Sequence, residues 1–133
     1  MKDEYSQKSL SDKLGIKENF NVVILNEPKN YFKLLGILPQ GATTHKELVE
    51  NLDLIHYFPK NKNELETLFP RLKKCLKLEG FLWISWKKGK TTDLNENKVM
   101  STGLNNGLVD IKVISVDKTW SALKFVYRIK DRN

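Results

Sequence analysis

Three short and almost uninterrupted apolar segments constrain the fold of this chain more than any other feature. They span residues 20–25 (Phe-Asn-Val-Val-Ile-Leu), 53–58 (Asp-Leu-Ile-His-Tyr-Phe) and 81–86 (Phe-Leu-Trp-Ile-Ser-Trp). This pattern is typical of strands that are buried on both faces, because neither face exposes its side chains to water. Such strands occur mainly in parallel sheets covered by helices, so the segments predict an α/β protein.

The segment between the first two strands carries signals for a helix and a weaker strand. Apolar residues at helical spacing predict a helix over residues 31–38, which ends at the Pro-Gln-Gly sequence 39–41. We expect a short second strand at residues 42–45 and one helical turn at residues 46–51.

Two further helices are expected on either side of the third apolar segment. Asn63 is predicted to cap the first of them, and Gly80 is predicted to end it. Pro70 lies inside this helix and should kink it, because proline removes one backbone hydrogen bond. Asp93 with Glu96 three residues later has the pattern of a capping box and predicts the start of the second helix.

The last part of the chain predicts an antiparallel hairpin, with strands at 110–116 and 122–129 joined by a five-residue loop. The whole order predicts a Rossmann-like three-layer α/β/α sandwich with a mostly parallel six-stranded sheet in the order 2-1-3-4-6-5. Residues 1–19 are expected to form an N-terminal arm with a short helix that Ser9 caps and Gly15 ends. Residues 20–133 are expected to form one α/β domain.

The length and the cysteine and histidine counts exclude several classes of protein. A chain of 133 residues suits a single domain. Its one cysteine, Cys75, excludes an internal disulfide and a cysteine-cluster zinc site, and two histidines make a multi-histidine metal site difficult to build. No apolar run approaches the ~20 residues of a membrane span, and no signal-peptide core follows Met1. We therefore expect a cytoplasmic protein without a metal and without a membrane partner.

The charge balance favours acidic partners. Lysine and arginine number 23 against 16 aspartates and glutamates, which gives a net charge of +7. An anionic small molecule or a nucleic acid would suit this excess. Because most of the excess is lysine rather than arginine, a simply solvated basic surface is the structural alternative.

The predicted topology also locates a candidate binding edge. In an open α/β sheet, ligands bind outside the carboxyl ends of the strands, where the strand order reverses. Here that point lies between the first and third strands, beside the loops at 26–30, 59–63 and 87–93. The helices after these loops present free N–H groups to the same edge, which favours an anion. The residues predicted to bind a ligand there are Asn26, Glu27, Lys60, Trp86, Lys87, Lys88 and Trp120.

Structural explanations compete with a functional one for several of these side chains. Trp86 could cap the end of the sheet as part of the core, and Trp120 could fold back onto the sheet edge. His56 lies in a buried strand, where a core histidine with satisfied hydrogen bonds is the expectation. Lys124 could pair with Asp117 across the hairpin. No residue is predicted to be catalytic, and Cys75 is expected to be inert.

The order of elements resembles the C-terminal half of class I S-adenosylmethionine-dependent methyltransferases. Residues 76–82 (Leu-Lys-Leu-Glu-Gly-Phe-Leu) are similar to the L-x-P-G-G-x-L turn of those enzymes. The resemblance implies a methyltransferase-like domain over residues 20–133. Those enzymes place a glycine-rich loop after the first strand so that the backbone can approach the cofactor. Here that loop is Asn-Glu-Pro-Lys-Asn (26–30) and has no glycine, so we expect no cofactor.

A second resemblance covers nearly the whole chain. It rests on Tyr-Ser at 5–6, Lys-Leu-Gly-Ile-Lys at 13–17, Asp-Leu-Ile-His at 53–56, Leu-Trp-Ile-Ser-Trp at 82–86, Gly-Leu-Val-Asp at 107–110, Trp-Ser at 120–121 and Leu-Lys-Phe-Val at 123–126. Together these segments resemble a family of small bacterial proteins that is classed as a domain of unknown function. The resemblance implies a bacterial, single-domain protein and supplies no activity.

Three functions are consistent with the sequence. The first is a non-catalytic binding or interaction module with a basic rim suited to an anionic ligand. The second is an S-adenosylmethionine-dependent methyltransferase with an atypical cofactor loop. The third is a nucleic-acid-binding protein, suggested by the net charge and by three tryptophans.

Overall fold

A computed structural model of the chain describes residues 8–89 and 92–132. The elements in chain order are α1 (Leu10–Leu14), β1 (Asn21–Leu25), α2 (Tyr31–Leu35), β2 (Thr43–His45), β3 (Leu52–Tyr57), α3 (Lys62–Cys75), β4 (Leu76–Lys87), α4 (Glu96–Asn105), β5 (Leu108–Ser115), β6 (Trp120–Tyr127) and a short 3₁₀ helix (Ile129–Asp131).

The six strands form one sheet in the order β2-β1-β3-β4-β6-β5. The pairs β1–β2, β1–β3 and β3–β4 are parallel. The pairs β4–β6 and β5–β6 are antiparallel, because the chain ends in a hairpin. The predicted strand order and the mixed character of the sheet are therefore confirmed.

Helices cover both faces of the sheet, which explains the continuous apolar segments. In β4, Leu82, Ile84 and Trp86 pack into the core beneath α3 and α4. The alternating residue Trp83 packs into the second core, which also contains residues from α1 and α2. Both sets of side chains are buried when the chain folds. The sequence of the strand is therefore apolar at nearly every position rather than at every second one. The predicted three-layer arrangement is confirmed.

The helix caps differ from the predicted ones by two residues. The side chain of Asn61, not Asn63, caps α3 by accepting a hydrogen bond of 2.8 Å from the backbone N–H three residues later. Asn95, not Asp93, caps α4 in the same way, at 2.9 Å. Asp93 instead accepts a 3.0 Å hydrogen bond from the backbone N–H of Lys62. Its carboxylate therefore lies at the positive amino end of α3, a contact between loops that local spacing could not predict.

The prediction that Gly80 ends a helix is wrong. Helix α3 continues through the exposed Pro70 to Cys75, and β4 then runs through Gly80. The β3–β4 pairing has a register irregularity at this point. A Cβ atom at Gly80 would lie 2.8 Å from Cδ1 of Leu76 and 3.1 Å from the carbonyl oxygen of Asp53. Gly80 therefore permits close approach of two strands and does not act as a helix stop.

Smaller differences occur at other element ends. The predicted helix at 31–38 stops at Leu35, because Gly36 takes a positive φ of 79°. The helical turn predicted at 46–51 is absent, and this segment is irregular. The hairpin strands each begin two residues earlier than predicted. Gly107, at φ 85°, ends the preceding turn and lets β5 start directly after it.

The short N-terminal helix has the predicted caps at Ser9 and Gly15. Leu10 and Leu14 are buried against the sheet, and the carbonyl oxygen of Leu14 accepts a 3.0 Å hydrogen bond from Nε1 of Trp83. Residues 1–7 of the predicted arm, with the Tyr-Ser pair at 5–6, lie outside the described residues, and the division of the chain at residue 20 stays a prediction. Within residues 8–89 and 92–132, no helix has the length and apolar character needed to cross a membrane.

Candidate functional site

A cavity of about 310 Å³ opens at the carboxyl edge of the sheet. The carboxyl ends of β3 and β4 meet the amino end of β6 there, because β6 runs antiparallel to β4. We call this cavity the aromatic cleft. It is lined by Asn26, Phe58, Pro59, Lys60, Trp86, Lys87, Thr92, Leu94 and Trp120.

The structure brings five of the seven predicted ligand-binding residues together in this cleft. They are Asn26, Lys60, Trp86, Lys87 and Trp120. Their role in binding a ligand stays a prediction. Glu27 and Lys88 do not line the cleft.

Lys88 has a structural contact instead. Its Nζ donates hydrogen bonds to Oγ of Ser115 at 2.8 Å and to the carbonyl oxygen of Asp117 at 2.7 Å. These bonds tie the end of β4 to the hairpin loop between β5 and β6. The side chain is therefore directed to the hairpin, although it follows a cleft residue in sequence.

Phe58, Pro59, Thr92 and Leu94 line the cleft but were not predicted. Phe58 and Pro59 immediately follow β3, and the reversal of strand order at this point indicates that they belong to the site. Leu94 is the one apolar residue between the end of β4 and α4, and it is buried. An isolated leucine in a polar loop could have indicated a packed position.

Aromatic side chains form the walls of the cleft. The rings of Phe58 and Trp120 meet edge to face, with centroids 5.0 Å apart. Trp86 is only 7% exposed. It is therefore mainly a core residue at the end of the sheet, as the structural alternative for this residue predicted. Trp120 is half-buried and packs against the core, as the alternative for that residue predicted.

The rim of the cleft is basic. Lys60 and Lys87 are exposed, and Nζ of Lys87 lies 5.7 Å from the centroid of the Trp120 ring. The described lining residues include no carboxylate, histidine or cysteine. The described lining therefore offers apolar contact and positive charge.

Glu64 links the loops that follow β1 and β3. Its Oε1 atom accepts hydrogen bonds from the hydroxyl of Tyr57 at 2.6 Å, from Nδ2 of Asn26 at 3.1 Å and from the backbone N–H of Lys60 at 3.1 Å. Asn26 has a positive φ of 60°, a conformation that asparagine tolerates better than most residues. The carboxylate thus joins both loops at the point where the strand order reverses.

A second, more open cavity of about 570 Å³ lies beside this carboxylate. It is lined by Leu25, Asn26, Tyr57, Asn61, Asn63, Glu64, Thr67 and Leu68. Three of its six polar side chains are amides, and one of these, Asn61, is already engaged as the cap of α3. This cavity offers no cluster of charges comparable to the lysine rim of the aromatic cleft.

His56 is a core histidine with both ring nitrogens satisfied, as predicted. It is fully buried, and its Nδ1 lies 2.8 Å from the hydroxyl of Tyr31 and its Nε2 lies 2.7 Å from Oγ of Ser85. Burial lowers the pKa of His56 to about 3, so the ring stays neutral near pH 7. The imidazole packs on Phe58 with centroids 4.4 Å apart, which supports one wall of the cleft.

The predicted ion pair between Lys124 and Asp117 is wrong. Oδ1 of Asp117 accepts hydrogen bonds from the backbone N–H groups of Thr119 and Trp120, which closes the hairpin loop. Nζ of Lys124 lies 3.7 Å from the ring centroid of Phe81 instead. Across residues 8–89 and 92–132, no group of three or more histidine, cysteine, aspartate or glutamate side chains is arranged to hold a metal ion.

The fold is shared with S-adenosylmethionine-dependent methyltransferases. A methyltransferase of this class from Aquifex aeolicus is 13% identical with a TM-score of 0.63, and the match covers 87% of this chain and 86% of that one. Magnesium protoporphyrin IX methyltransferase from Synechocystis, with bound SAH, is 9% identical with a TM-score of 0.59 over 90% and 78% of the two chains. Fibrillarin from Aeropyrum pernix, with bound S-adenosyl-L-methionine, is 12% identical with a TM-score of 0.60 over 85% and 69%.

No protein-family model matches this sequence, and no curated protein matches it. Identities of 9–13% show the fold and not the activity. The chain therefore has a Rossmann-like methyltransferase fold, which confirms the architectural resemblance. The resemblance to a small bacterial family stays a prediction.

Proposed function

We propose that the chain is a binding module without catalytic activity, and that its aromatic cleft binds a planar anionic ligand. The observation that carries the proposal is the half-buried Trp120 ring, held by the buried Phe58, beside the exposed side chains of Lys60 and Lys87. Aromatic faces bind flat rings, and unpaired lysines attract a phosphate or carboxylate. A bacterial origin and a cytoplasmic location are parts of the same proposal.

The size of the cleft limits the ligand. Its volume of about 310 Å³ is at the lower end of the range for small-molecule pockets, which is ~300–1,000 Å³. Such a volume suits one aromatic ring system with a single anionic group. The absence of a carboxylate from the described lining disfavours a cationic ligand.

The loop after β1 supports a site that differs from a nucleotide cofactor site. Pro28 has no N–H to donate to a phosphate or carboxylate, and the loop contains no glycine that would let a ligand approach the backbone. The carboxylate of Glu64 bridges this loop and the end of β3 and places a negative charge there. Both features favour a ligand on the β4–β6 side of the edge, where the aromatic cleft lies.

Calorimetry with two planar anions, adenosine monophosphate and salicylate, tests the proposal, with uncharged adenosine as the comparison. We expect Trp120→Ala to weaken binding of both anions about tenfold, because stacking on an aromatic ring contributes roughly 1–3 kcal/mol. Lys87→Ala should weaken binding of the anions and leave binding of adenosine unchanged. Lys74→Ala, an exposed change on α3, is the matched control. Absence of heat with both anions would overturn the proposal.

A second candidate is an S-adenosylmethionine-dependent methyltransferase with an atypical cofactor loop. The shared fold favours it, since the similar structures include proteins with bound S-adenosyl-L-methionine or SAH. Calorimetry with S-adenosylmethionine separates the two candidates. Micromolar binding of S-adenosylmethionine would support the methyltransferase. It would also contradict the argument that the glycine-free loop after β1 disfavours this cofactor. Binding of adenosine monophosphate without any heat from S-adenosylmethionine would support the binding module.

A further inference from the structure

Two lysines of the hairpin lie on the sheet face that carries α1 and α2, and the charge of a third lysine acts on one of them. Lys112 of β5 and Lys124 of β6 are directly opposite each other in the antiparallel pairing. Side chains that are paired in this way point to the same face of the sheet. Lys17 follows α1, and its charge acts on Lys124. We call Lys17, Lys112 and Lys124 the lysine face.

This arrangement is unfavourable for a free protein. Like charges directly opposite each other in a strand pair are destabilising. Lys124 is also partly buried, and burial together with the charges of Lys112 and Lys17 lowers its pKa. Among residues 8–89 and 92–132, no carboxylate makes an ion pair or hydrogen bond with any of the three.

The contacts of Lys124 compensate only part of this cost. Its ammonium group lies 3.7 Å from the centroid of the Phe81 ring and 5.8 Å from that of Trp83. A cation over an aromatic ring is stabilised, which accounts for the position of Lys124. It does not account for a second lysine directly opposite or for a third one nearby. An external anion would stabilise all three.

We propose that the lysine face binds the phosphodiester backbone of a nucleic acid. None of the cavities described is lined by these three lysines, so the surface is open rather than enclosing. An open cationic surface suits an extended polyanion better than a small molecule, which needs a concave site. The net charge of +7 favours the same partner.

The side chains also predict how the nucleic acid is recognised. Lysine is a point charge on a flexible stem, whereas arginine reads base edges with two parallel hydrogen bonds. The lysine face contains no arginine. We therefore expect contacts to phosphates that position the strand without selecting a sequence.

Fluorescence anisotropy with labelled oligothymidylate tests this inference at low and moderate salt. Each phosphate contact to a single strand contributes about 0.7 to the slope of log affinity against log salt. Three contacts predict a slope of about −2 for the unmodified protein. The double variant Lys17→Ala and Lys112→Ala removes the two exposed members of the lysine face. The slope should become less negative by about 1.4. Lys124→Met, which keeps the apolar stem over Phe81, should reduce it by about 0.7.

The matched control removes two charges from the opposite side of the sheet. Lys74→Ala with Lys98→Ala changes exposed residues on α3 and α4, so it lowers the net charge equally and should leave the slope unchanged. A similar loss in the control and the test variant would mean that binding follows net charge alone and would overturn the proposal. Failure of the unmodified protein to bind at low salt would do the same. So would equal binding of polyglutamate, which carries charge but no phosphate.

Discussion

The hydroxyl of Tyr57 donates a hydrogen bond of 2.6 Å to Oε1 of Glu64, and this pair joins the end of β3 to the first turn of α3. Tyr57 is only 1% exposed. Burial and then the hydrogen bond and charge of Glu64 raise the pKa of Tyr57, so the hydroxyl stays protonated and remains a donor. The same carboxylate oxygen binds Asn26, which fixes the loop after β1 against the loop after β3.

Replacing Glu64 with alanine should lower the free energy of unfolding by about 1–3 kcal/mol, because Tyr57 and Asn26 lose their shared acceptor. Glu64→Gln keeps a carbonyl acceptor and should cost less. Urea unfolding measures both effects. Glu66→Ala is the matched control, because Glu66 is exposed on the same helix and makes only an i,i+4 pair of 3.8 Å with Lys62. Equal stability of the alanine variants at positions 64 and 66 would contradict the prediction.

The buried His56 should make the protein less stable at acid pH. Its pKa is about 3 in the folded chain and 6.5 in an exposed histidine, so only the unfolded chain binds the proton between these values. The free energy of unfolding should therefore fall as the pH is lowered from 6.5 to about 3, by ~1.4 kcal/mol for each pH unit from this group.

Urea unfolding at several pH values measures this dependence for the unmodified protein, for His56→Gln and for His45→Gln. The change at position 56 should remove this component, and the His45→Gln protein should keep it, because His56 is unchanged there. NMR titration of the His56 ring gives a direct reading that does not depend on a variant that folds. A ring that becomes protonated near pH 6 would disprove the assignment of a neutral core histidine.

The adjacent residues Lys87 and Lys88 should respond differently to substitution. Lys87→Glu reverses a charge at the rim of the aromatic cleft and should weaken binding of adenosine monophosphate while leaving the melting temperature nearly unchanged. Lys88→Glu breaks two hydrogen bonds to the hairpin and should lower the free energy of unfolding by about 1 kcal/mol. Calorimetry and thermal unfolding of the two single variants separate these effects. Indistinguishable behaviour of the two would refute the different contacts described for them.

Gly103 in α4 should not tolerate a side chain, although alanine is the better helix former. A Cβ atom at this position would overlap the ring of Phe125, which is fully buried in β6. Overpacking of this kind costs about 1–3 kcal/mol, whereas the helix gains roughly 1 kcal/mol from the change. We expect a net loss in urea unfolding for Gly103→Ala. Ser101→Ala, exposed on the same helix, should be neutral or stabilising; a stabilising change at position 103 would argue against close packing of α4 on β6.

The architecture could be predicted because it depends on local sequence patterns, that is, on residues close together in the chain. Apolar runs identified β1, β3 and β4, and the hairpin was placed to within two residues. Two of the errors occur where a partner distant in sequence decides the outcome. Asp93 was predicted to cap its own helix but binds the backbone of Lys62, and Gly80 was predicted to stop a helix but lies inside β4, where it lets β3 approach closely.

The candidate site also has features that the sequence predicted and features that it could not predict. The reversal of strand order predicted which loops meet at the carboxyl edge, and five of the predicted residues line one cleft there. The direction of Lys88, the three hydrogen bonds to Glu64 and the pairing of Lys112 with Lys124 could not be predicted. All but the hydrogen bond from Lys60 to Glu64 join residues at least seven positions apart, and their geometry depends on how the folded strands and loops are arranged.

The sequence by itself determined that this chain forms a covered, mostly parallel sheet, because burial of apolar side chains on both faces leaves a pattern that is visible along the chain. Only the tertiary structure decided which polar groups meet, because a hydrogen bond or a charge contact requires two atoms within a few ångströms and the chain brings them together only after it folds. The hydrogen bonds that converge on Glu64 and the pairing of Lys112 with Lys124 both depend on that tertiary information.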